Sequence, residues 1–541
     1  MQRFWEPGVL LLAILFSLPI FTVVSFVLHP ANDVWQHLLD TVLTEYLLNS
    51  ALLMLGVALG TLVIGVGCAW LTSVCLFPGK RLFAWAMLLP LAFPAYIIAY
   101  TYTGMLDFAG PLQSWIRAGT GWGVRDYYFP EVRSLGGAVT MFSLVLYPYV
   151  YLLARAAFLE QSICVLEVSR TLGCSVWASF YRVALPLARP AIVAGLSLAL
   201  METLADYGTV AYFGLGVFTT GIFRTWFGLG DGAAAAKLAS ILLLFVFTLI
   251  VIERWSRQRA RYHHATNRYS ALPQYRLRGY RAVLAFSACF LPLLLGFLLP
   301  AYQLALWAIE TYADMVDASF LQLTFHSLEL AASAALLAVV LALFLAYGKR
   351  MLGSKVVNAS IRIVATGYAL PGTVIAVGVI IPFAWFDNSV DSLMREHYGF
   401  SSGLLLSGSL FALMFAYMVR FLAVSIQAVE SGLSKIKPSM DDAARSLSYR
   451  PGEILMRVHL PLMKGTVLTA LLIVFVDVMK ELPATLILRP FNFNTLAVRA
   501  FELASDERLA DSSTAALMIV AVGLGPVILL SHSISASRAG S

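Results

Sequence analysis

Apolar residues fall along this chain in long unbroken runs, not in the alternating patterns of surface helices or half-buried strands. Runs lie near residues 8–28, 50–75, 83–105, 136–158, 190–212, 233–252, 282–307, 327–347, 361–385, 403–426, 465–488 and 514–530. Most are about 20 residues long, enough for a helix to cross ~30 Å of hydrocarbon. In that solvent each backbone N–H and C=O must be satisfied within its own segment, which favours helices. The pattern predicts an all-α membrane protein of about twelve transmembrane helices.

Composition agrees. Hydrophobic residues make up 60% of the 541 positions and charged residues 12%. Soluble chains carry about 45–50% and about 25%. The net charge of +7 is concentrated: residues 253–281 hold eight Arg against one acid, Glu253. Between membrane segments such a stretch marks the cytoplasmic side and not a nucleic-acid site. With the basic turn at residues 78–81, it predicts cytoplasmic loops at 78–81, 159–189, 253–281 and 431–464. Residues 29–48 and 387–401 are expected to be periplasmic and both termini cytoplasmic. The first run lacks a small-residue cleavage site and is read as an uncleaved helix. Cys68, Cys75, Cys164, Cys174 and Cys289 show no ligand spacing and are read as small packing residues. No catalytic constellation, metal site or cofactor site is legible. The phosphate-loop pattern is absent, so ATP hydrolysis by that route is excluded.

The polar stretches carry a repeat. Residues 167–186 read EVSRTLGCSVWASFYRVALP and residues 442–461 read DAARSLSYRPGEILMRVHLP. Glu167 pairs with Asp442, Arg170 with Arg445, Gly173 with Ser448, Arg182 with Arg457 and Pro186 with Pro461, at one ungapped offset (442 − 167 and 461 − 186, both 275). Pro94 pairs with Pro371 at 277. The chain is therefore expected to hold two copies of one unit: residues 1–253, an Arg-rich cytoplasmic linker at 254–281, and residues 282–541. An even number of spans per copy gives both copies the same orientation. Each loop predicts a helix, a break near Gly173 or Ser448, and a second helix. A solvated connector is the plain alternative, and the duplication argues against it.

These loops resemble the EAA motif of ABC importer permeases, in which an acid, two alanines, a glycine and a Leu-Pro recur. Glu167, Gly173, Val183 and Pro186 match in the first copy, and Asp442, Ala443, Ala444, Val458 and Pro461 in the second. Val168–Ser169, Asp442 and Ser448 depart from it. The segments METLADYGTV, KELPATLILRPFNFNTLA and LPLAFPAYIIAY look like the iron(III)-type permeases, single chains of two fused six-helix halves. The resemblance implies an inner-membrane permease, not itself an enzyme, without a cofactor. It implies two copies of a cytosolic ABC ATPase and a periplasmic substrate-binding protein as partners. Glu167, Arg170, Gly173, Pro186, Asp442, Ala444, Arg445, Ser448 and Pro461 would couple to the ATPase. Ferric iron is the implied substrate. Fused permeases for thiamine and for phosphonates look similar and stay open.

Charges within apolar runs supply the last signal. Glu202 and Asp206 stand four residues apart, on one helix face. Asp477 and Glu481 repeat them at the offset of 275, beside Lys480. Such groups cost several kcal/mol at membrane depth unless paired or facing water. They are read as a polar lining of the path or as structural pairs, with Lys480 reaching a carboxylate of the other half. An ion-coupled secondary transporter would use them as relay groups but leaves the repeated loops unexplained. A membrane-embedded enzyme lacks a catalytic set.

Overall fold

The computed structural model describes residues 2–123, 126–160, 176–258 and 275–536. It is helical almost throughout. The described strands are two-residue pieces, Cys75–Leu76 and Tyr275–Arg276, paired in parallel. Among the described residues, eleven helices are long and apolar enough to cross a membrane, or twelve if a bent pair counts as one span.

Contacts gather the chain into two compact units. The first comprises Met1–Asp40, Gly221–Leu243 and Val316–Arg499; the second comprises Thr41–Thr220, Leu244–Met315 and Ala500–Ser541. Each unit thus draws on both sequence repeats.

In the first unit, helix Gln2–Ser25 packs on Gly372–Tyr398 and Lys355–Val364. Trp5 stacks on Phe344, centroids 4.5 Å apart. Gly378 permits this approach, because a Cβ there would stand 2.5 Å from the Pro19 carbonyl oxygen. Helix Ala318–Leu352 packs on Leu410–Ser434 and Leu460–Met479. Its start is fixed by Asp317, which accepts the Phe320 N–H at 2.7 Å, and its end by Gly353 at φ +57°.

In the second unit, Leu43–Val74 lies along Leu135–Glu160 and Leu185–Ala205. Leu509–Ala536 packs on Leu299–Met315. Cys68, Cys75 and Cys289 are buried and free. Cys164 and Cys174 lie outside the described residues.

Several expected spans are broken. Run 83–105 divides into Lys80–Ala86, a 3₁₀ turn Leu89–Ala92 and Ala95–Leu106, with a 90° bend between Ala92 and Ala95. Run 361–385 divides at Leu370–Pro371, between a 3₁₀ turn Ala365–Ala369 and Gly372–Tyr398. The cause is shared. Pro94 (φ −62°, ψ 141°) and Pro371 (φ −59°, ψ 140°) cap the helices that follow, and the residue before each is extended. Runs 190–212 and 465–488 stop early, at Ala205 and Met479. The expected loop 387–401 is helical to Tyr398, and residues 29–48 contain helix Asp33–Thr41.

Candidate functional site

The second polar loop has the expected helix–break–helix form. Helix Pro438–Ser446 ends in a left-handed residue, Ser448 at φ +64°. Tyr449 N–H reaches the Ala444 carbonyl at 3.2 Å, and Ser448 N–H reaches Arg445 at 2.9 Å. This is the Schellman arrangement, which favours glycine at the left-handed position. The repeat partner of Ser448 in the sequence is Gly173, which lies outside the described residues. The next helix begins at Pro451, and Glu453 accepts the Arg450 N–H at 2.8 Å.

Which face this loop shows is set by one carboxylate that the motif comparison did not single out. Asp441 Oδ2 accepts from Arg350 Nε at 2.8 Å, and its Oδ1 lies 2.6 Å from His459 Nε2. Arg350 also donates to the carbonyls of Leu433 at 2.5 Å and Ile436 at 3.0 Å. Tyr347 donates to the Pro451 carbonyl at 2.8 Å, edge-on to the His459 ring. Burial alone would raise the Asp441 carboxyl. The Arg350 and His459 contacts outweigh it and hold the group below its ordinary value. The end of Ala318–Leu352 thereby clamps both sides of the loop.

With Asp441 turned inward, Asp442 turns outward. Its side chain is 72% exposed, 3.6 Å from the equally solvent-facing Arg445. Met440, Leu447 and Met456 are exposed beside them, giving a mixed apolar and charged surface. Ala444 packs inward, and Pro461 is exposed at the start of Leu460–Met479.

Of the first loop, Glu167, Arg170 and Gly173 lie outside the described residues. Its second helix is described from Val176, and Pro186 is exposed near the start of Leu185–Ala205. A five-residue π turn, Phe180–Ala184, recurs as Leu455–His459, again 275 residues on.

The membrane charges do not share a helix face as the sequence suggested. Leu185–Ala205 ends before Asp206, and Leu460–Met479 before Glu481. Each acid instead opens the short helix after the break. Asp206 accepts from Thr209 N–H at 2.8 Å and from the Thr209 hydroxyl at 3.1 Å. Glu481 accepts from Ala484 N–H at 3.0 Å. Glu481 also forms a buried ion pair with Arg420, 2.8 Å apart and at most 8% exposed on either side. A Cβ on Gly372 would come within 2.7 Å of Glu481 Oε1 and 2.8 Å of Arg420 Nη1, so glycine leaves room for the pair. Lys480 bonds Asp477 of its own helix, at 3.1 Å and half-buried. Glu202 is half-buried. Sequence reasoning passed over Arg420, although a lone Arg inside the run LFALMFAYMVRFLAVSIQ was a signal. Among the described residues, no three His, Cys, Asp or Glu side chains gather as metal ligands.

Long apolar helices, two of the runs broken ahead of Pro94 and Pro371, together with a clamped polar loop, are the features of a polytopic membrane protein. Residues 338–539, which contain that loop, match the family described as the inner membrane component of binding-protein-dependent transport systems. The whole chain is similar to the Fe(3+)-transport system permease protein FbpB 2 of Haemophilus influenzae, 26% identical over 96% of this chain and 97% of that protein. It is also similar to the putative ferric transport system permease protein FbpB 1 of the same organism, 23% identical over 74% of this chain and 63% of that protein. The molybdenum transport system permease protein ModB of Escherichia coli matches 37% of this chain over 89% of its own length, 28% identical. A protein of that size thus aligns with less than half of this one.

Proposed function

We propose that the chain is the permease subunit of an ATP-driven importer. It moves ferric iron, delivered by a periplasmic binding protein, across the inner membrane by alternating access. The observation that carries this reading is the second polar loop: its acid and arginine, Asp442 and Arg445, face solvent on a helix clamped from beneath by Asp441. A buried clamp under an exposed charged face suits a docking surface for a cytosolic ATPase. Two ATPase copies would meet the loops at 159–189 and 431–464, through Glu167, Arg170, Gly173 and Pro186 and through Asp442, Arg445, Ser448 and Pro461. Ala444, packed inward, would support the helix. ATP hydrolysis belongs to that partner. The permease needs only to couple differently to its two states.

The repeats 1–253 and 282–541, joined by the linker 254–281, would form the two halves, with both termini cytoplasmic. Within the membrane, Asp206 and Glu481 serve as helix caps. Glu202 and Asp477, with Lys480, are the groups we place along the path. Iron is supported by the names of the relatives that cover most of the chain. A second reading, an oxyanion substrate, rests on the molybdenum relative, which covers 37% of it.

The test is uptake into proteoliposomes holding this chain and the ATPase, with the binding protein added outside. Uptake of radioactive ferric iron that requires ATP is expected. Uptake driven by an ion gradient without the ATPase would replace this reading with a secondary transporter, and uptake of molybdate but not iron would reassign the substrate.

A further inference from the structure

The helix Pro111–Thr120 is built inside out for a soluble setting. Its two longest polar side chains, Gln113 and Arg117, turn toward the protein, while Ser114 and Thr120 are exposed. Gln113 Nε2 donates to the Leu106 carbonyl at 2.8 Å, and Tyr127 donates to Gln113 Oε1 at 2.7 Å. Arg117 donates to the Phe108 carbonyl at 2.8 Å and to the Tyr127 hydroxyl at 3.2 Å, and lies 4.1 Å over the Phe108 ring. Leu112, Trp115 and Ala118, three residues apart on the opposite face, are exposed, Trp115 at 74%. Gly121, left-handed at φ +74°, closes the helix on the Arg117 carbonyl, and exposed Trp122 follows.

The second repeat keeps the closing glycine and the exposed apolar positions, with its arginine turned to the surface, its side chain 66% exposed. Gly399, at φ +71°, closes Gly372–Tyr398 on the Arg395 carbonyl. Arg395 is engaged by Asp391 at 2.7 Å and by Ser401 at 3.2 Å. Leu393 and Phe400 are exposed, each two residues before the arginine or one after the glycine, as Trp115 and Trp122 are. The spacing of 278 residues holds for all four pairs, close to the 277 that relates Pro94 to Pro371.

We infer that these two segments lie in the lipid–water interface, with Trp115 and Leu393 set into the boundary between headgroups and acyl chains. The occupant is fixed by continuity with the bilayer. Pro111–Thr120 is the last part of Ala95–Thr120, the second arm of the bent membrane pair, and Leu393 sits in the last two turns of Gly372–Tyr398, a helix long and apolar enough to cross a membrane. At that depth one face meets apolar chains and Trp is a favoured anchor. Inward hydrogen bonding of Gln113 and Arg117 keeps the polar groups satisfied away from lipid. A water-facing helix with these residues would be turned the other way, because exposing Trp and Leu while satisfying Gln and Arg inside gives up hydrophobic burial.

The inference is independent of the substrate and of the ATPase. Nitroxide labels on Trp115→Cys and Leu393→Cys would be read by power saturation in the full-length protein in vesicles, with exposed Ser434→Cys as the aqueous reference. Both positions are exposed, so the fold should tolerate the label. Preferential access to oxygen over a water-soluble nickel complex is expected, at a depth about 5–10 Å below the headgroup level. Brominated lipid should also quench tryptophan fluorescence less in Trp115→Phe than in the unaltered chain. Nickel access equal to that at position 434 would overturn the inference. So would protection that appears only when the binding protein is added, which would make the face a protein-docking surface.

Discussion

Asp206 and Glu481, 275 residues apart, make the same hydrogen bond: each carboxylate accepts from the backbone N–H three residues on, Thr209 at 2.8 Å and Ala484 at 3.0 Å. The duplication therefore reaches down to individual helix caps. The two sites then diverge. Glu481 also meets Arg420 at 2.8 Å, whereas the residue 275 before Arg420 is buried Val145.

This divergence predicts unequal mutants. Glu481→Gln keeps a cap acceptor but removes the carboxylate charge from the buried pair with Arg420. Removing one partner of a buried pair costs about 3–5 kcal/mol. Asp206→Asn also keeps the acceptor and should cost little, while Asp206→Ala should cost about 0.5–2 kcal/mol, the loss of a cap. Thermal unfolding of the detergent-purified chain would rank them. If Asp206→Asn abolishes transport with unfolding unchanged, Asp206 acts on the path and is more than a cap.

Gly372→Ala tests the same pair from the other side. The added methyl would lie 2.7 Å from Glu481 Oε1 and 2.8 Å from Arg420 Nη1, so the ion pair must move. Overpacking of this kind costs about 1–3 kcal/mol. The same change at Gly119, where a Cβ meets nothing within 4 Å, should leave unfolding within about 0.5 kcal/mol. Equal effects at the two glycines would remove the steric argument.

Acid should loosen the second polar loop. The Asp441 carboxyl titrates below its ordinary value in the fold, with burial opposed by the stronger Arg350 and His459 contacts. A depressed carboxylate contributes stability that is present above its unfolded pKa, about 3.9. That contribution is lost as pH falls through the folded value. Trypsin is inactive at such pH, so hydrogen exchange of residues 438–449 is the measurement. Exchange protection should drop on acidification in the unaltered chain. Asp441→Asn should lower protection already at neutral pH, by about 1–3 kcal/mol, and flatten the pH profile. A profile that is unchanged in Asp441→Asn would assign the acid response to another group.

Much of this was legible in sequence, and the gaps have physical causes. Run length located the membrane helices because hydrocarbon thickness fixes the length. The breaks at Pro94 and Pro371 were also signalled, since the residue before proline avoids the helical region, but tolerance of proline in membrane helices argued the other way. The aligned acids pointed to Asp442. The acid that holds the loop is its neighbour Asp441, whose partners Arg350 and His459 are 91 and 18 residues away in sequence. Pairing across such distances depends on how helices pack, which no local pattern records. Gly173 and Ser448 looked like a mismatch. The φ of +64° at Ser448 shows that the second loop makes a left-handed turn there without a glycine.

That turn gives a stabilising substitution. A non-glycine residue in the left-handed region is disfavoured by about 1–2 kcal/mol, while glycine adds about 0.5–1 kcal/mol of chain entropy to the unfolded state. Ser448→Gly should thus be neutral or stabilise by up to about 1.5 kcal/mol. Ser448→Val should destabilise, because a β-branched side chain crowds there most. Unfolding temperatures of the two variants would decide it, and a destabilised Ser448→Gly would contradict the strain assigned to this turn.

The strongest functional test separates adjacent acids. Asp442 is exposed and its near contact with Arg445 spans two solvated side chains, so the fold should be indifferent to its loss. In a docked interface the same carboxylate would meet a cation of the ATPase, and truncating one side of a desolvated charge pair costs about 2–5 kcal/mol. At about 1.4 kcal/mol per decade, that weakens ATPase binding roughly 30-fold or more. Asp442→Ala combined with Glu167→Ala should leave a stable permease that releases its ATPase and does not transport. Asp441→Ala should loosen the loop and weaken docking only as a consequence, so the milder Asp441→Asn should recover part of the binding. Co-purification of the ATPase with each variant, alongside its unfolding temperature, distinguishes the cases. Full ATPase binding and transport in the Glu167→Ala, Asp442→Ala double variant would remove the docking role from these loops, and the exposed face beside Asp442 would need another partner.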